Sequence, residues 1–254
     1  MGLIEKYAMY LESIDRYNDA AFLRRVYETD RAVYRDRLRA IRFENMNCVL
    51  EAGCGFGQWS MELARLNRYV YCCDCSQYRV EFIHRYVQEI GIANIIPCVA
   101  SLPKLPFEDA QFDGIFCYGV IFCTPWKRSL LEFRRLLRPG GKLYVTCNAF
   151  GYILKSWFAP KNQTRDYDPR VTAWKSMRDT LDYCREEREW APESQIIIEK
   201  EEFSAFAADH GFKILAIDAE GQISLTPGIL PKPFFPGSFM QCACCYEVIL
   251  EKMR

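Results

Sequence analysis

The stretch Cys48-Val49-Leu50-Glu51-Ala52-Gly53-Cys54-Gly55-Phe56-Gly57-Gln58-Trp59 decides how this chain is read. Cys48 to Leu50 is a short apolar run, the pattern of a buried strand. It ends in Glu51 and then in glycines at alternate positions, Gly53, Gly55 and Gly57. Met61, Leu63, Ala64 and Leu66 follow at helical spacing. Strand, glycine turn, helix is the layout of a nucleotide-type site in an open α/β sheet. Glycine lets the backbone turn sharply and approach a ligand with no side chain between them. A dinucleotide turn has its third glycine where Gln58 stands, and the Gly-Lys-Ser/Thr of a P-loop is missing. A glycine turn with no ligand is the bland alternative.

One βα unit later, Arg68 to Cys73 reads as a second strand that ends in Asp74. An acid at that tip is where a carboxylate accepts hydrogen bonds from both ribose hydroxyls. Two further segments stand in order: Ser101-Leu102-Pro103-Lys104-Leu105-Pro106-Phe107 running on to Phe116, and Leu136-Leu137-Arg138-Pro139-Gly140-Gly141-Lys142-Leu143-Tyr144-Val145. Together the four segments, spread over residues 47–148, resemble the class I methyltransferases that use S-adenosylmethionine, in their small-molecule type.

The resemblance implies an α/β fold: a seven-stranded, mostly parallel, doubly wound sheet with an antiparallel last strand. N-terminal helices and a helical insertion after the fifth strand are added to it. It implies a single methyltransferase domain over 1–254, with a helical lid at 1–43 and a cofactor-binding half at 47–148. A substrate-cap insertion at 149–198 follows, and 199–254 completes the sheet. Strands are expected at Ile95–Val99, Phe112–Tyr118, Leu143–Asn148, Phe212–Ile217 and Cys242–Leu250, with helices at about Gln77–Ile90 and Val171–Trp190. Gly53 and Gly55 are expected against the methionine part of the cofactor, with Gly57 completing the turn and Glu51 ordering it. Asp74 is expected to hold the ribose. Cys75 flanks the adenine, and Leu102 packs on it. Ser101 stands where many relatives have an acid. Tyr118, at the end of the fourth strand, is the candidate for lining the methyl-donor side and for catalysis. Ile121, Phe122 and Cys123 occupy the place where many relatives carry a histidine pair.

Net charge is zero, with 33 basic and 33 acidic residues, so no overall field draws the chain to nucleic acid or to anionic membrane. The opening Met-Gly-Leu-Ile-Glu-Lys is too short an apolar run for a signal peptide, and no run reaches the length of a membrane span. A cytoplasmic protein with a small-molecule substrate is expected, with neither nucleic acid nor membrane as partner. Thirteen cysteines is a high count. Cys48, Cys72, Cys73, Cys117 and Cys147 fall in expected strands or core, where thiols act as small hydrophobes. Cys72-Cys73-Asp74-Cys75 and Cys242-Ala243-Cys244-Cys245 lack C-x-x-C spacing, and no metal site is expected.

The expected activity is in-line methyl transfer from S-adenosylmethionine, leaving S-adenosylhomocysteine, with Phe150, Tyr152, Trp157 and Phe158 lining the acceptor cleft. One alternative is a thiophile methyltransferase of the arsenic type, which needs Cys117, Cys123 and Cys147 to converge. The other is a non-catalytic module that binds the cofactor only.

Overall fold

The computed structural model describes residues 2–185 and 194–254. Three helices open the chain, α1 (Leu3–Ser13), α2 (Tyr17–Glu28) and α3 (Arg31–Ala40). Then come β1 (Cys48–Ala52), α4 (Gln58–Leu66), β2 (Tyr69–Asp74), α5 (Gln77–Ile90), β3 (Ile95–Val99) and β4 (Phe112–Cys117). A 3₁₀ turn at Ile121–Cys123 leads into α6 (Trp126–Leu136) and β5 (Leu137–Asn148). The insertion contributes α7 (Phe150–Phe158) and α8 (Pro169–Cys184). Helix α9 (Lys200–Asp209) and strand β6 (Phe212–Ala219) follow, then the short pair β7 (Ser238–Phe239) and β8 (Cys242–Ala243), and finally β9 (Cys245–Lys252).

Seven strands form one sheet in the order β3-β2-β1-β4-β5-β9-β6. All pairings from β3 to β5 are parallel, and β9 runs antiparallel to both its neighbours. The switch point of the strand order lies between β1 and β4, so a crevice opens beyond the carboxyl ends of β1 and β4. Strand β4 is buried at every position, as a central parallel strand covered on both faces must be. Alternate residues of each strand feed two apolar layers. Val49, Val70, Phe116, Tyr144 and Ile249 face α1–α5. Leu50, Ile115, Leu143, Val145 and Val248 face α6 and α9.

The expected sheet is present, with shifts at its ends. The last strand begins at Cys245, because Cys242–Ala243 instead pairs with Ser238–Phe239 in a small hairpin packed on α7. Strand β5 starts at Leu137, so Pro139-Gly140-Gly141 lies within the strand, with Gly140 at φ +77°. Helix α8 starts earlier than the apolar pattern suggested, at Pro169, with the Asp168 side chain accepting from the Arg170 amide as its cap. The expected extension of this helix to Trp190 falls on residues 186–193, outside the described residues.

A buried ion cluster ties the two ends of the chain together. Arg37 of α3 is fully buried. Its Nη1 donates to Glu220 Oε1 at 2.6 Å and to Glu247 Oε2 at 3.1 Å, and its Nη2 donates to the Lys232 carbonyl at 2.6 Å. The Tyr144 hydroxyl donates to Glu247 at 2.5 Å. Glu220 also takes the Phe234 and Phe235 amides, and Glu247 takes those of Gln222 and Ile223. Removing one side of such a cluster leaves uncompensated buried charge. Arg37→Met is expected to lower the unfolding free energy by about 3–5 kcal/mol, read by urea denaturation; a loss below about 1 kcal/mol, the scale of a surface pair, would show that the cluster does not hold the fold.

Candidate functional site

Strand β1 ends where three glycines take positive φ: Gly53 at +80°, Gly55 at +54° and Gly57 at +78°. Each does so against a different neighbour. A Cβ at Gly53 would stand 2.3 Å from the Val120 side chain, and one at Gly57 would stand 3.0 Å from Ile83. At Gly55 the nearest atom, in the Phe22 ring, is 3.4 Å away. Gly53 and Gly57 are thus required by close packing on the loop after β4 and on α5. Gly55 is the position with room beside it.

The amides of the turn are already used. Gly53 N and Cys54 N donate to the Cys73 carbonyl at 2.8 and 2.9 Å. Gly57 N donates to the Cys54 carbonyl, and Gly55 N donates to Asp74 Oδ2 at 2.9 Å. Asp74 Oδ1 accepts from the Ser76 amide at 2.9 Å. The carboxylate at the tip of β2 therefore lies against the glycine turn. Two backbone donors leave lone pairs on both its oxygens, enough for two ribose hydroxyls. Arg79 Nη1 stands 3.7 Å from Asp74, while Arg79 Nη2 donates to Asp19 of α2.

Glu51 is buried beneath the turn and accepts from the Ser60 hydroxyl of α4. Burial pushes its carboxyl up to about 8, against the lowering effect of Ser60. Its ordering role therefore works through Ser60 on the helix, a partner that the sequence pattern did not single out. Gln58 Oε1 and Ser76 Oγ are buried beside the turn with no hydrogen-bond partner, which is what side chains awaiting a polar ligand show. These open acceptors, the space at Gly55 and the free lone pairs of Asp74 fit S-adenosylmethionine.

Asp74 pairs with Val99 in the sheet, and the Ala100 amide donates to the Asp74 carbonyl. Ser101 and Leu102 follow directly on that contact in the chain, and Cys75, next to Asp74, is exposed. Tyr118 stands two residues beyond Phe116, the partner of Glu51 in the sheet. Its ring packs on Trp59 at 4.9 Å, and its hydroxyl donates to Glu220 at 2.8 Å. Burial, with the Glu220 carboxylate beside it, pushes the phenol well above its ordinary range. The hydroxyl thus belongs to the ion cluster. Gly119, at φ +73°, then turns the chain so that Val120 covers Gly53.

Helix α2 closes over the turn. Phe22 lies beside Gly55, the Tyr27 hydroxyl donates to the Phe56 carbonyl at 3.0 Å, and Asp19 accepts from both Tyr78 and Arg79. In the insertion, Phe150, Trp157 and Phe158 are exposed, and Tyr152 packs on Phe235 at 6.2 Å. All thirteen cysteines are free. Cys117 and Cys147 are wholly buried in the apolar layer under α6, and Cys123, in the 3₁₀ turn, packs against the same layer; the three thiols are neighbours, but two of them are closed off from solvent and burial pushes all three above the ordinary thiol range. Among the described residues no group of three or more His, Cys, Asp and Glu is placed to hold a metal ion. No described helix is long and apolar enough to cross a membrane.

Comparison with known proteins agrees with this geometry. The methyltransferase domain family matches residues 49–141. The tRNA U34 carboxymethyltransferase of Nautilia profundicola is 29% identical over 110 residues, which is 41% of this chain and 35% of that protein. The 2-phytyl-1,4-naphtoquinone methyltransferase of Trichormus variabilis is 35% identical over 101 residues, 38% of this chain and 44% of that one. The chain thus spans less than half the length of these curated relatives. A solved structure of a geranyl diphosphate methyltransferase in complex with S-adenosylmethionine superposes with a TM-score of 0.62 at 16% identity, covering 93% of this chain and 90% of that one, a likeness of fold. The acid-and-glycine turn and the carboxylate against it lie within the residues 49–141 that match the methyltransferase domain family, and the fold around them is that of S-adenosylmethionine-dependent methyltransferases.

Proposed function

We propose that this protein transfers a methyl group from S-adenosylmethionine to a small-molecule acceptor. The observation that carries the reading is the sign of the electrostatics at the turn. A phosphate site offers free amides at a helix N-terminus. Here the amides of Gly53, Cys54, Gly55 and Gly57 are bonded within the protein, and the Asp74 carboxylate is itself one of their acceptors. Such a turn disfavours a phosphate and suits a nucleoside that carries positive charge. When bound, that cofactor supplies an electrophilic methyl group on a sulfonium.

The chain's own residues then bind, orient and exclude water. Asp74 holds the ribose hydroxyls, with Ser101, Leu102 and Cys75 around the base. Gln58 and Ser76 offer their open oxygens to polar groups of the ligand. Phe22 and the rest of α2 cover the turn, in keeping with a lid at 1–43. Holding acceptor and methyl group in line is the main source of acceleration for such a transfer. Neither histidine is placed as a base: His84 is exposed on α5, and His210 stacks on Phe206 at the end of α9. The Tyr118 phenol, bonded to Glu220 and shifted upward, acts as a wall of the crevice and not as a proton acceptor.

A small acceptor is supported by the named activity of the naphtoquinone relative and by the balanced overall charge. The aromatic and thiol groups near the crevice, Tyr152 and Cys123, suit an apolar or aromatic molecule. Formation of S-adenosylhomocysteine with hydroquinones and other phenols, followed by chromatography, tests this. Tight cofactor binding without turnover on any acceptor would favour the binding-module reading instead.

Asp74→Ala is expected to weaken S-adenosylhomocysteine binding by roughly 2–3 kcal/mol, from two charge-assisted hydrogen bonds lost. Calorimetry checks it, and unchanged affinity would remove Asp74 from the site. The same change leaves the Gly55 and Ser76 amides without their acceptor, so a fall in thermal midpoint should accompany it. Glu51 supplies a pH signature. The unfolded chain releases this proton near 4.5, whereas the folded chain holds it to about 8. Its contribution to stability is full below 4.5, declines as pH rises through that window and is lost above it. Glu51→Gln keeps an acceptor for Ser60, so its thermal midpoint should fall less than that of the native chain between pH 5 and pH 8; parallel curves for the two proteins would contradict the buried, protonated acid.

A further inference from the structure

Arg79 of α5 stands between two carboxylates that belong to different parts of the chain. Its Nη2 donates to Asp19 Oδ1 of α2 at 2.5 Å, while its Nη1 lies 3.7 Å from Asp74 Oδ2, beyond hydrogen-bond range. Among the described residues these are its only ion-pair partners, and its Nε is buried without an acceptor. The guanidinium lies over the Phe56 ring, 5.7 Å from the centroid, a contact that uses none of its donors.

Which acid Arg79 serves decides how many acceptor places Asp74 has left. Asp74 Oδ2 already takes the Gly55 amide, and Oδ1 takes the Ser76 amide. A carboxylate oxygen accepts about two donors, so one place remains on each. A guanidinium carries several donors and does not lose its charge. Without Asp19 it would close on Asp74 Oδ2, the nearer oxygen, and fill that second place. A shift of about 1 Å turns the 3.7 Å separation into a charged hydrogen bond. One ribose hydroxyl would then lose its acceptor.

Asp19 is held where it prevents this. It is buried, and its other oxygen accepts from the Tyr78 hydroxyl at 2.6 Å. Tyr78 is fixed in turn from α1, whose Tyr7 hydroxyl donates to the Tyr78 carbonyl at 2.6 Å. We propose that Asp19 is a positioning residue for cofactor binding: by holding Arg79, it keeps the second place on Asp74 Oδ2 open for a ribose hydroxyl. The inference rests on the reading of Asp74 as the ribose acceptor. It gives the N-terminal helices a part in ligand specificity as well as in covering the turn.

Calorimetry of the full chain with S-adenosylhomocysteine and with its 2′-deoxy and 3′-deoxy analogues tests it. The native protein is expected to bind each analogue about tenfold more weakly than the parent, one charge-assisted hydrogen bond apiece. Asp19→Ala should weaken the parent about tenfold and abolish the discrimination against one of the two analogues. Asp19→Ala combined with Arg79→Met should bring the parent back to within about threefold of native affinity and restore both discriminations, because the competing donor is gone. Where Asp19→Ala does not fold, Asp19→Asn, which keeps an oxygen for Tyr78 but no charge for Arg79, should show the same loss of discrimination. A loosened helix α2 would weaken all three ligands alike. Discrimination against both analogues retained in Asp19→Ala therefore overturns the proposal while leaving Asp74 in place, and failure of Arg79→Met to restore the parent also overturns it. A native protein that binds both analogues as tightly as the parent removes Asp74 as the ribose acceptor, and the role of Asp19 with it.

Discussion

The contact on which the site depends is the hydrogen bond from the Gly55 amide to the Asp74 carboxylate, 2.9 Å long. It fastens the turn after β1 to the tip of β2. The Cys73 carbonyl reinforces it by taking the amides of Gly53 and Cys54. Two strands adjacent in the sheet thus share one rigid edge at their carboxyl ends. A ligand laid across that edge meets the turn and the carboxylate at a fixed separation, set before it arrives. This preorganisation is what makes a glycine turn a binding site and not merely a bend.

The second constraint acts from behind. Arg37, Glu220, Glu247, Tyr144 and Tyr118 form a buried polar cluster under α3, and through it the N-terminal helices are bound to β9 and to the loop after β6. Glu62 of α4, also buried, faces Arg31 and Arg35 of α3 at 4.0 and 3.5 Å. A helix that covers the crevice needs such anchoring, because Phe22 and Asp19 reach the turn only if α2 and its neighbours stand in register with the sheet. In the Arg37 cluster the cost of burying charge is offset by paired hydrogen bonds, so a single truncation leaves the partners stranded; the Glu62 oxygens have only the longer contacts to Arg31 and Arg35.

The sequence made the sheet and the turn legible because their signals are local. A run of apolar residues, three glycines and an acid within a few positions fix both conformation and chemistry. Asp74 could be placed because it ends a strand. Tyr118 could not be aimed, because its direction depends on Gly119 taking positive φ and on Glu220, which lies 102 residues away. Val120 escaped notice for the same reason: a valine after a glycine gives no hint that it will cover Gly53. The ion cluster was invisible, since Arg37 and Glu247 are 210 residues apart and each looks like an ordinary surface charge. In the insertion, the aromatics Phe150, Trp157 and Phe158 carried no sign of which way they face, and the structure turns them to solvent.

The state of Glu51 completes the electrostatic argument. Two carboxyl groups at one turn would repel if both were ionised, and burial favours the neutral form of the deeper one. Burial pushes the enclosed Glu51 carboxyl up to about 8, whereas Asp74 accepts from two amides and lies 3.7 Å from Arg79. One acid thereby borders the crevice against the glycine turn, and the other is held beneath it in its neutral form. The division explains why an acid can end β1 without destabilising the site. It also means that a cationic ligand arriving above Glu51 would favour its ionised form, so that binding and proton release are coupled through a residue the ligand need not touch.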